Sequence, residues 1–556
     1  MNSGWLQNHA SELLILLPLI AGGLALLARA MGARTGPAER RARALPLLVY
    51  PLAGLVLASV LPDILQAPGT GQTVWLGGFV GEPGILLRLD GLAWVSSALI
   101  ATGTLAVALA ALSSPDFDLR FHFVLHITTA GMQSVVLTTD LFTMFVSFEI
   151  VAIGVYVLIA WERSSEGLLA SLKYLMLSSV GILLFLIGVF FAYRDYGTLN
   201  LEVLASRMAG STLDRSAQVM VACLVVGIGV RTAFIPFHTW LPEAHAWAPH
   251  PVSALLSGVL IKVSFLALTR VVTGLDAAAL MPLLVWVGAI TALVAVVWAL
   301  AQHDAKRLLA YHSISQMGYI LAAWAVATPA GAVASLAHAV SHALFKALLF
   351  LALGALIHRL HTRDLYRMRG VWSRAPLLAS AVVVGSLAIS GIPPFNGFYS
   401  KQLVSAAVAG HAAYPLLRLT AVGTMASFAK VLRILGPGGP DSGSPRPRGR
   451  GESTALVLLT LLVVGTGLAA PLLVPVLAQL TGADMATGRA LAAYLRLSPD
   501  TLLETAGTAG LGLVLMLLVV SERGRSVGDR IAGLAPQLHT ILIFMIAGLV
   551  LFVVAA

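Results

Sequence analysis

Two stretches decide the fold of this chain: Arg231-Thr-Ala-Phe-Ile-Pro236-Phe-His238-Thr-Trp-Leu-Pro242-Glu243 and Ser390-Gly-Ile-Pro393-Pro394-Phe-Asn-Gly-Phe-Tyr-Ser-Lys401. Each interrupts a long apolar run with proline and sets ionisable side chains beside the interruption. Proline removes a backbone donor and clashes with the preceding turn, so Pro236 and Pro393-Pro394 predict broken helices. Carbonyls freed at such a break are tolerated inside a bilayer only against protein or water. A matched pair of Gly/Pro-interrupted segments is the sequence pattern of an ion site between inverted repeats. A pair of ordinary kinks is the plainer alternative.

The 556 residues are 58% hydrophobic and 11% charged, with a mean hydropathy of +0.90. A soluble domain carries about 25% charged residues. Apolar runs long enough to cross a ~30 Å hydrocarbon core as helices recur from end to end. Unbroken runs of that length exclude a β-barrel. The fold class is therefore all-α and polytopic. The net charge of +10 does not imply nucleic acid, because the arginines gather in particular short loops, as topology signals do. Cys223 is the one cysteine, so the chain can form no internal disulfide and ligate no iron–sulfur cluster. It reads as a small buried hydrophobe. No cofactor and no catalytic metal are expected, and redox chemistry would belong to other subunits.

Hydropathy gives about sixteen spans, near 11–30, 43–62, 90–113, 121–138, 141–160, 168–192, 217–247, 252–272, 280–301, 306–327, 330–357, 376–410, 414–434, 454–476, 502–520 and 537–555. Basic residues follow the first span, whereas a signal peptide has the opposite polarity. Arginines also fill the loops after spans eleven, thirteen and fifteen, at 359–374, 446–450 and 523–530. Loops 62–88 and 193–216 carry little or balanced charge. The alternation predicts an N-terminus outside the cytoplasmic membrane.

Five domains follow. Residues 1–120 form N-terminal helices, and 121–272 and 280–434 form two five-helix blocks. Residues 435–453 form a flexible cytoplasmic connector, and 454–556 the C-terminal helices. An odd number of helices per block makes the two repeats inverted, with the fourth helix of each broken. Residues 477–500 are read as an amphipathic piece at the outer surface.

An ionisable side chain at mid-membrane costs roughly 2.5–3.5 kcal/mol on insertion scales, so each is a candidate for function. Glu149 sits alone among apolar neighbours and calls for a cation. Arg231 precedes the first break, Lys262 is too deep for easy snorkelling, and Lys401 follows the second break. His338, His342 and Lys346 recur at i, i+4, i+8 on one helix face. Imidazole titrates near neutral pH and a desolvated lysine is brought towards it, so such a stripe suits proton transfer along water. Metal binding is the rival, but no carboxylate or cysteine joins the stripe. His312 adds another polar face. Lys173 reads equally as a snorkelling residue, and Asp304, Lys306 and Arg307 as surface anchors. His238, Glu243, His245 and His250 lack metalloprotease spacing and suit an entry vestibule.

Several of these segments resemble the antiporter-like subunits of respiratory complex I, Mrp-type sodium/proton antiporters and membrane-bound hydrogenases. They are Phe148-Glu149, Ser171-Leu-Lys173-Tyr174-Leu, Phe234 to His245, Pro251-Val-Ser-Ala-Leu-Leu-Ser, His312-Ser-Ile-Ser-Gln-Met-Gly, His342-Ala-Leu-Phe-Lys346-Ala-Leu-Leu-Phe and Gly391-Ile-Pro-Pro-Phe-Asn-Gly-Phe. The resemblance covers about 90–434. It implies hydrated half-channels across inverted repeats, with the family's essential glutamate at Glu149 and its connecting lysine at Lys262. It places the family's eleventh-helix His/Lys set at His338, His342 and Lys346, and its twelfth-helix ionisable residue at Lys401. The family's seventh-helix lysine falls on Arg231. Arginine does not release its proton, so Arg231 reads as a fixed counter-charge to Glu149 rather than a relay station.

The expected function is proton translocation through a Glu/Lys/His relay within a multisubunit inner-membrane assembly. Other membrane subunits would be its partners, and protons, with or without sodium, its cargo. An Mrp-type sodium/proton antiporter subunit is the second reading. The proton-conducting partner of a zinc-dependent inorganic-carbon uptake protein is the third, and a non-conducting scaffold the fourth. No nucleotide loop or catalytic triad supports a stand-alone enzyme.

Overall fold

The computed structural model describes residues 3–69, 71–76, 84–209, 214–438, 449–495, 497–534, 547, 548, 550, 553 and 554. The protein is mostly helical. Among the described residues, eleven helices are long and apolar enough to cross a membrane, among them Ala10–Ala30, Gly36–Gln66, Ser165–Tyr196, His250–Gly274 and Pro329–Leu360. Leu119–Leu137, Ala305–Ala325 and Tyr414–Leu432 lie at further expected spans. Most of the expected span 537–555 and residues 439–448 of the connector 435–453 lie outside the described residues.

Aspartates start many of these helices. Asp90, Asp118, Asp140 and Asp304 each accept backbone N–H bonds in the first turn of the helix that follows, which satisfies donors that the ladder cannot. Loop 62–88 is not plain loop but folds into an antiparallel hairpin, β1 (Gln72–Leu76) with β2 (Ile85–Leu89), registering Gln72 opposite Leu89. The 193–216 loop includes a short helix, Leu201–Met208. Residues 477–500 contain the tail of Ala470–Leu480 and the helix Met485–Tyr494.

The two broken runs stop where the sequence places proline. Arg215–Thr232 ends at Ala233 in the left-handed region, and Trp240–Trp247 resumes after the break. Pro376–Ser390 ends at Gly391, φ +78°, and Asn396–Val408 follows. Only at Gly391 does the left-handed turn fall on the residue type that adopts it freely. The Ile235-Pro236 and Pro393-Pro394 peptides are cis.

His250–Gly274 is buried along its whole apolar window and Pro329–Leu360 over most of its own, so these two helices form the axis. Glycines bring them together: a Cβ on Gly258 would lie 3.2 Å from the Ala343 carbonyl, and one on Gly354 2.2 Å from His250 Cβ. Small residues at crossings are how membrane helices approach without a hydrophobic driving force. Gly288 and Gly318 do the same for Ala278–Ala301 and Ala305–Ala325. A Cβ on Gly318 would lie 2.5 Å from the Gly288 carbonyl and from Ala292 N. Gly318→Leu is therefore expected to destabilise by about 1–3 kcal/mol through overpacking. It should lower the thermal midpoint in detergent, whereas Gly465→Leu, with nothing within 4 Å of the added Cβ, leaves it in place.

Candidate functional site

The ionisable residues fall into two groups. The first surrounds the C-terminal end of Arg215–Thr232, where unsatisfied carbonyls favour a cation. Arg231 Nη2 lies 3.4 Å from Glu149 Oε1. The guanidinium also sits 5.0 Å from the centre of the Phe148 ring and within electrostatic range of Tyr174. Arg231 is buried, but the Glu149 side chain remains 41% exposed. Glu149 lies on an outward stripe with Phe142, Val146 and Ile153, at the i, i+4, i+7, i+11 spacing of one helix face.

The second group lies along the axis. Lys262, Lys346, His312, His338 and His342 are all buried. A single π-helical turn, Leu256–Leu260, precedes Lys262, and the Lys262 ammonium donates to the Ser257 carbonyl within it. The Ser257 hydroxyl meets that of Ser313 at 2.7 Å. Lys346 donates to the Leu309 carbonyl and lies 5.1 Å from the Phe350 ring centre. Lys262, His342 and Lys346 are within electrostatic range of one another, and His312 is within range of both Lys346 and Lys401.

His338 and His342 stack nearly parallel, ring centres 6.4 Å apart. Through Nδ1 and Nε2, His338 bonds Ser400 Oγ at 3.0 Å and Gln316 Oε1 at 3.1 Å. Lys401 donates back across the break to the Ile389 carbonyl at 2.6 Å and faces the Tyr319 ring at 5.5 Å.

Both ring nitrogens of His245, His312 and His342 are buried without a protein partner, as is Gln316 Nε2. Buried polar atoms of this kind are satisfied by ordered water. Among the described residues, no side-chain hydrogen bond or ion pair joins it directly to the Arg231–Glu149 group, and no cluster of three or more His, Cys, Asp or Glu could hold a metal ion.

The secondary candidates separate in the same way. His245 stacks on Phe350 at 4.6 Å and lies within electrostatic range of Lys262, Lys306 and Lys346, so it joins the axis. His238 stacks on Trp298. Lys306 donates to the Ala248 carbonyl at 2.5 Å. Glu243 pairs with Arg307 at 3.1 Å. Asp304 caps its helix and approaches Arg363. Lys173 is partly exposed.

Sequence reasoning passed over Tyr174, Gln316, Tyr319, Ser400 and Lys430. The last is buried and donates to the Leu300 and Gln302 carbonyls; a lone lysine in Ser-Phe-Ala-Lys430-Val-Leu was a visible signal. His122 and His126 were also missed. They sit fully buried one turn apart, with Tyr50 2.6 Å from His126.

Comparison with known proteins bears on this arrangement. A family model described as "NADH:quinone oxidoreductase/Mrp antiporter, TM" matches residues 138–427. The chain is 31% identical over 474 residues to "Hydrogenase-4 component B" of Escherichia coli (strain K12), covering 78% of this chain and 70% of that one. It is 30% identical over 430 residues to the D-type Na(+)/H(+) antiporter subunit of Bacillus subtilis (strain 168), covering 74% and 86%. Its fold superposes on a chain of the membrane-bound sulfane sulfur reductase, an archaeal respiratory membrane complex, with a TM-score of 0.75 at 26% identity, covering 87% and 99%.

If the guanidinium's simultaneous contacts with Glu149 and Phe148 matter, replacement by a shorter or neutral group should show it. Arg231→Gln is expected to lower proton flux in vesicles at least about tenfold, the scale of losing a buried charge partner, with Arg231→Lys intermediate. Full flux in both variants would leave the contacts without a transport role.

Proposed function

The chain belongs to the NADH:quinone oxidoreductase/Mrp antiporter transmembrane family, and from that premise we propose that it is a proton-translocating, antiporter-like subunit of a larger membrane assembly. The observation that carries this reading is the buried axis. Lys262, His342, Lys346, His312 and Lys401 follow one another within electrostatic range, beside buried imidazole nitrogens with no hydrogen-bond partner among the described residues. Protons move along this row by exchange between water, imidazole and ammonium groups. Arg231 stays charged throughout and acts on Glu149 as a fixed partner.

The two broken helices, each fourth in a block of five, support reading 121–272 and 280–434 as inverted repeats, with 1–120 and 454–556 flanking them. The arginine-rich loops support a cytoplasmic-membrane topology with the N-terminus outside. Glu149, part-exposed in an otherwise apolar stripe, fits a surface that a neighbouring subunit covers. An ionisable group is costly against lipid. The relatives' names place them in multisubunit complexes, which supports membrane subunits as partners.

A sodium/proton antiporter subunit is the second reading, favoured by the match over 86% of the Bacillus subtilis antiporter chain. The affinity-purified complex separates the two: sodium-dependent proton flux in vesicles marks the antiporter, and flux driven by a redox substrate marks the other assembly. In either case Lys262→Ala and Glu149→Ala are expected to lower flux at least about tenfold, one factor of ten being about 1.4 kcal/mol, while the complex still assembles. Parent-level flux in an assembled Lys262→Ala complex would refute conduction along the axis.

A further inference from the structure

A mainly apolar cavity of about 370 Å³ lies between Gly91–Ala111, Pro329–Leu360, Asn396–Val408 and Arg450–Leu468, with Ala470–Leu480 along one side. That volume falls within the range of about 300–1,000 Å³ typical of small-molecule sites. We propose that the cavity is a ligand site for a lipophilic alcohol, an apolar body ending in one hydroxyl, whose O–H donates to Asn396 Oδ1.

Asn396 points to the occupant. It lines the cavity and is only 3% exposed, yet its Oδ1 has no hydrogen-bond partner. Exchanging the amide oxygen and nitrogen does not cure this. Asn396 Nδ2 donates to Thr466 Oγ1 at 3.2 Å, and the Thr466 hydroxyl gives its own proton to the Leu462 carbonyl at 2.5 Å. Thr466 therefore has no proton to offer an oxygen placed there. A buried acceptor left bare is costly, so the missing partner is a donor. Packing fixes the arrangement: a Cβ on Gly467 would lie 2.3 Å from the Pro394 carbonyl oxygen and 2.7 Å from Asn396 N. Arg450–Leu468 thus abuts the second break and sets Thr466 beside Asn396.

The other walls narrow the class. They include Trp94, Val340, Leu403 and Leu477, and no charged residue lines the cavity among the described residues. A charged amine would find no counter-ion there. A plain hydrocarbon chain would fill the space but leave Oδ1 bare. A hydroxyl meets that oxygen, and it also offers an acceptor to a cavity whose lining includes the hydroxyl residues Thr102 and Tyr399.

Much of the wall lies outside 138–427, the stretch that the family model matches. Trp94 comes from Gly91–Ala111, and Thr466 and Leu477 from Arg450–Leu468 and Ala470–Leu480. The cavity is therefore made where flanking helices meet the matched segment. Ser400 lines it too and bonds His338 Nδ1 at 3.0 Å. An occupant would lie against the residue that holds this histidine.

Photolabelling tests the site without reference to transport. The assembled complex in nanodiscs receives octanol carrying a diazirine, and adducts are mapped by peptide mass spectrometry. They are expected on cavity residues such as Trp94, Val340 or Leu477. Decanol should displace the label at a membrane concentration at least about tenfold below that of decyl methyl ether, which keeps the chain but lacks the donor. One factor of ten is about 1.4 kcal/mol, on the scale of satisfying a buried acceptor. Asn396→Leu should keep the adducts and abolish the preference, and Ala98→Phe, which adds bulk to the cavity wall, should remove them. Absence of cavity adducts in the parent complex, equal displacement by alcohol and ether, or a preference that survives Asn396→Leu overturns the site. The comparison in the parent complex decides even where a variant fails to assemble.

Discussion

A buried ammonium group needs oxygen acceptors, and a helix with a complete hydrogen-bond ladder has few to give. Most of the buried lysines here meet that constraint at a helix irregularity. Lys262 uses the π turn at Ser257. Lys401 uses Ile389, in the last turn before the break at Gly391. Lys430 uses Leu300 and Gln302, at the end of Ala278–Ala301, and Lys306 uses Ala248, just past Trp240–Trp247. Helix ends carry about half an elementary negative charge in their unpaired carbonyls. The interruptions are thus the means by which an apolar bundle holds cations. Lys346 is the exception, sharing the Leu309 carbonyl with the Ser313 hydroxyl and leaning on the face of Phe350.

Using carbonyls and rings rather than carboxylates has a chemical consequence. The buried acids among the described residues are Glu39 and Asp90, and Asp90 is committed to Arg270 at 2.9 Å. None pairs with an axial lysine. A carboxylate beside a lysine could take its proton and trap it in a neutral pair. A carbonyl or a phenyl face cannot, so a proton on the axis has only imidazole, ammonium and water to occupy. The same logic explains the aromatic neighbours of Arg231 and Lys401, Phe148 and Tyr319. They offset charge without competing for the proton.

Much of this was legible in the sequence because composition and proline act locally. Pro236 and Pro393-Pro394 follow closely on the helix ends at Thr232 and Ser390, and a lone lysine in an apolar run must be reconciled with the bundle. The His338–His342–Lys346 spacing sets a shared helix direction whatever the packing around it. What stayed hidden depends on neighbours distant in sequence. The π turn before Lys262 coincides with the close approach of Gly258 to Ala343, and no residue in Leu256–Leu260 announces it. The outward tilt of Glu149 is set by which face of Leu141–Ile159 packs inward, and a helix apolar all round gives no moment from which to read that face. The Arg418–Glu504 pair spans 86 positions and joins two spans that the repeat pattern treats as unrelated. Asp304, read as a surface anchor at a helix mouth, caps the helix that starts there.

The two groups of the site differ in how their charge is balanced, and that difference bears on direction. Around Arg231 a permanent cation faces one carboxylate that is part-open to a neighbour. Along the axis, titratable cations face neutral dipoles in a closed interior. A change at Glu149 caused by a covering subunit would alter the field at Arg231 without moving any proton there, because arginine holds its own. In the proposed relay the lysine row, being titratable, answers a field by gaining or losing protons. No direct side-chain bond joins the groups among the described residues, so in the proposed relay their coupling is electrostatic, which is stronger across a low-dielectric gap than across water. An arginine at position 231 therefore suits a sensor of the neighbour's charge, and the lysines and histidines beyond it suit the responder.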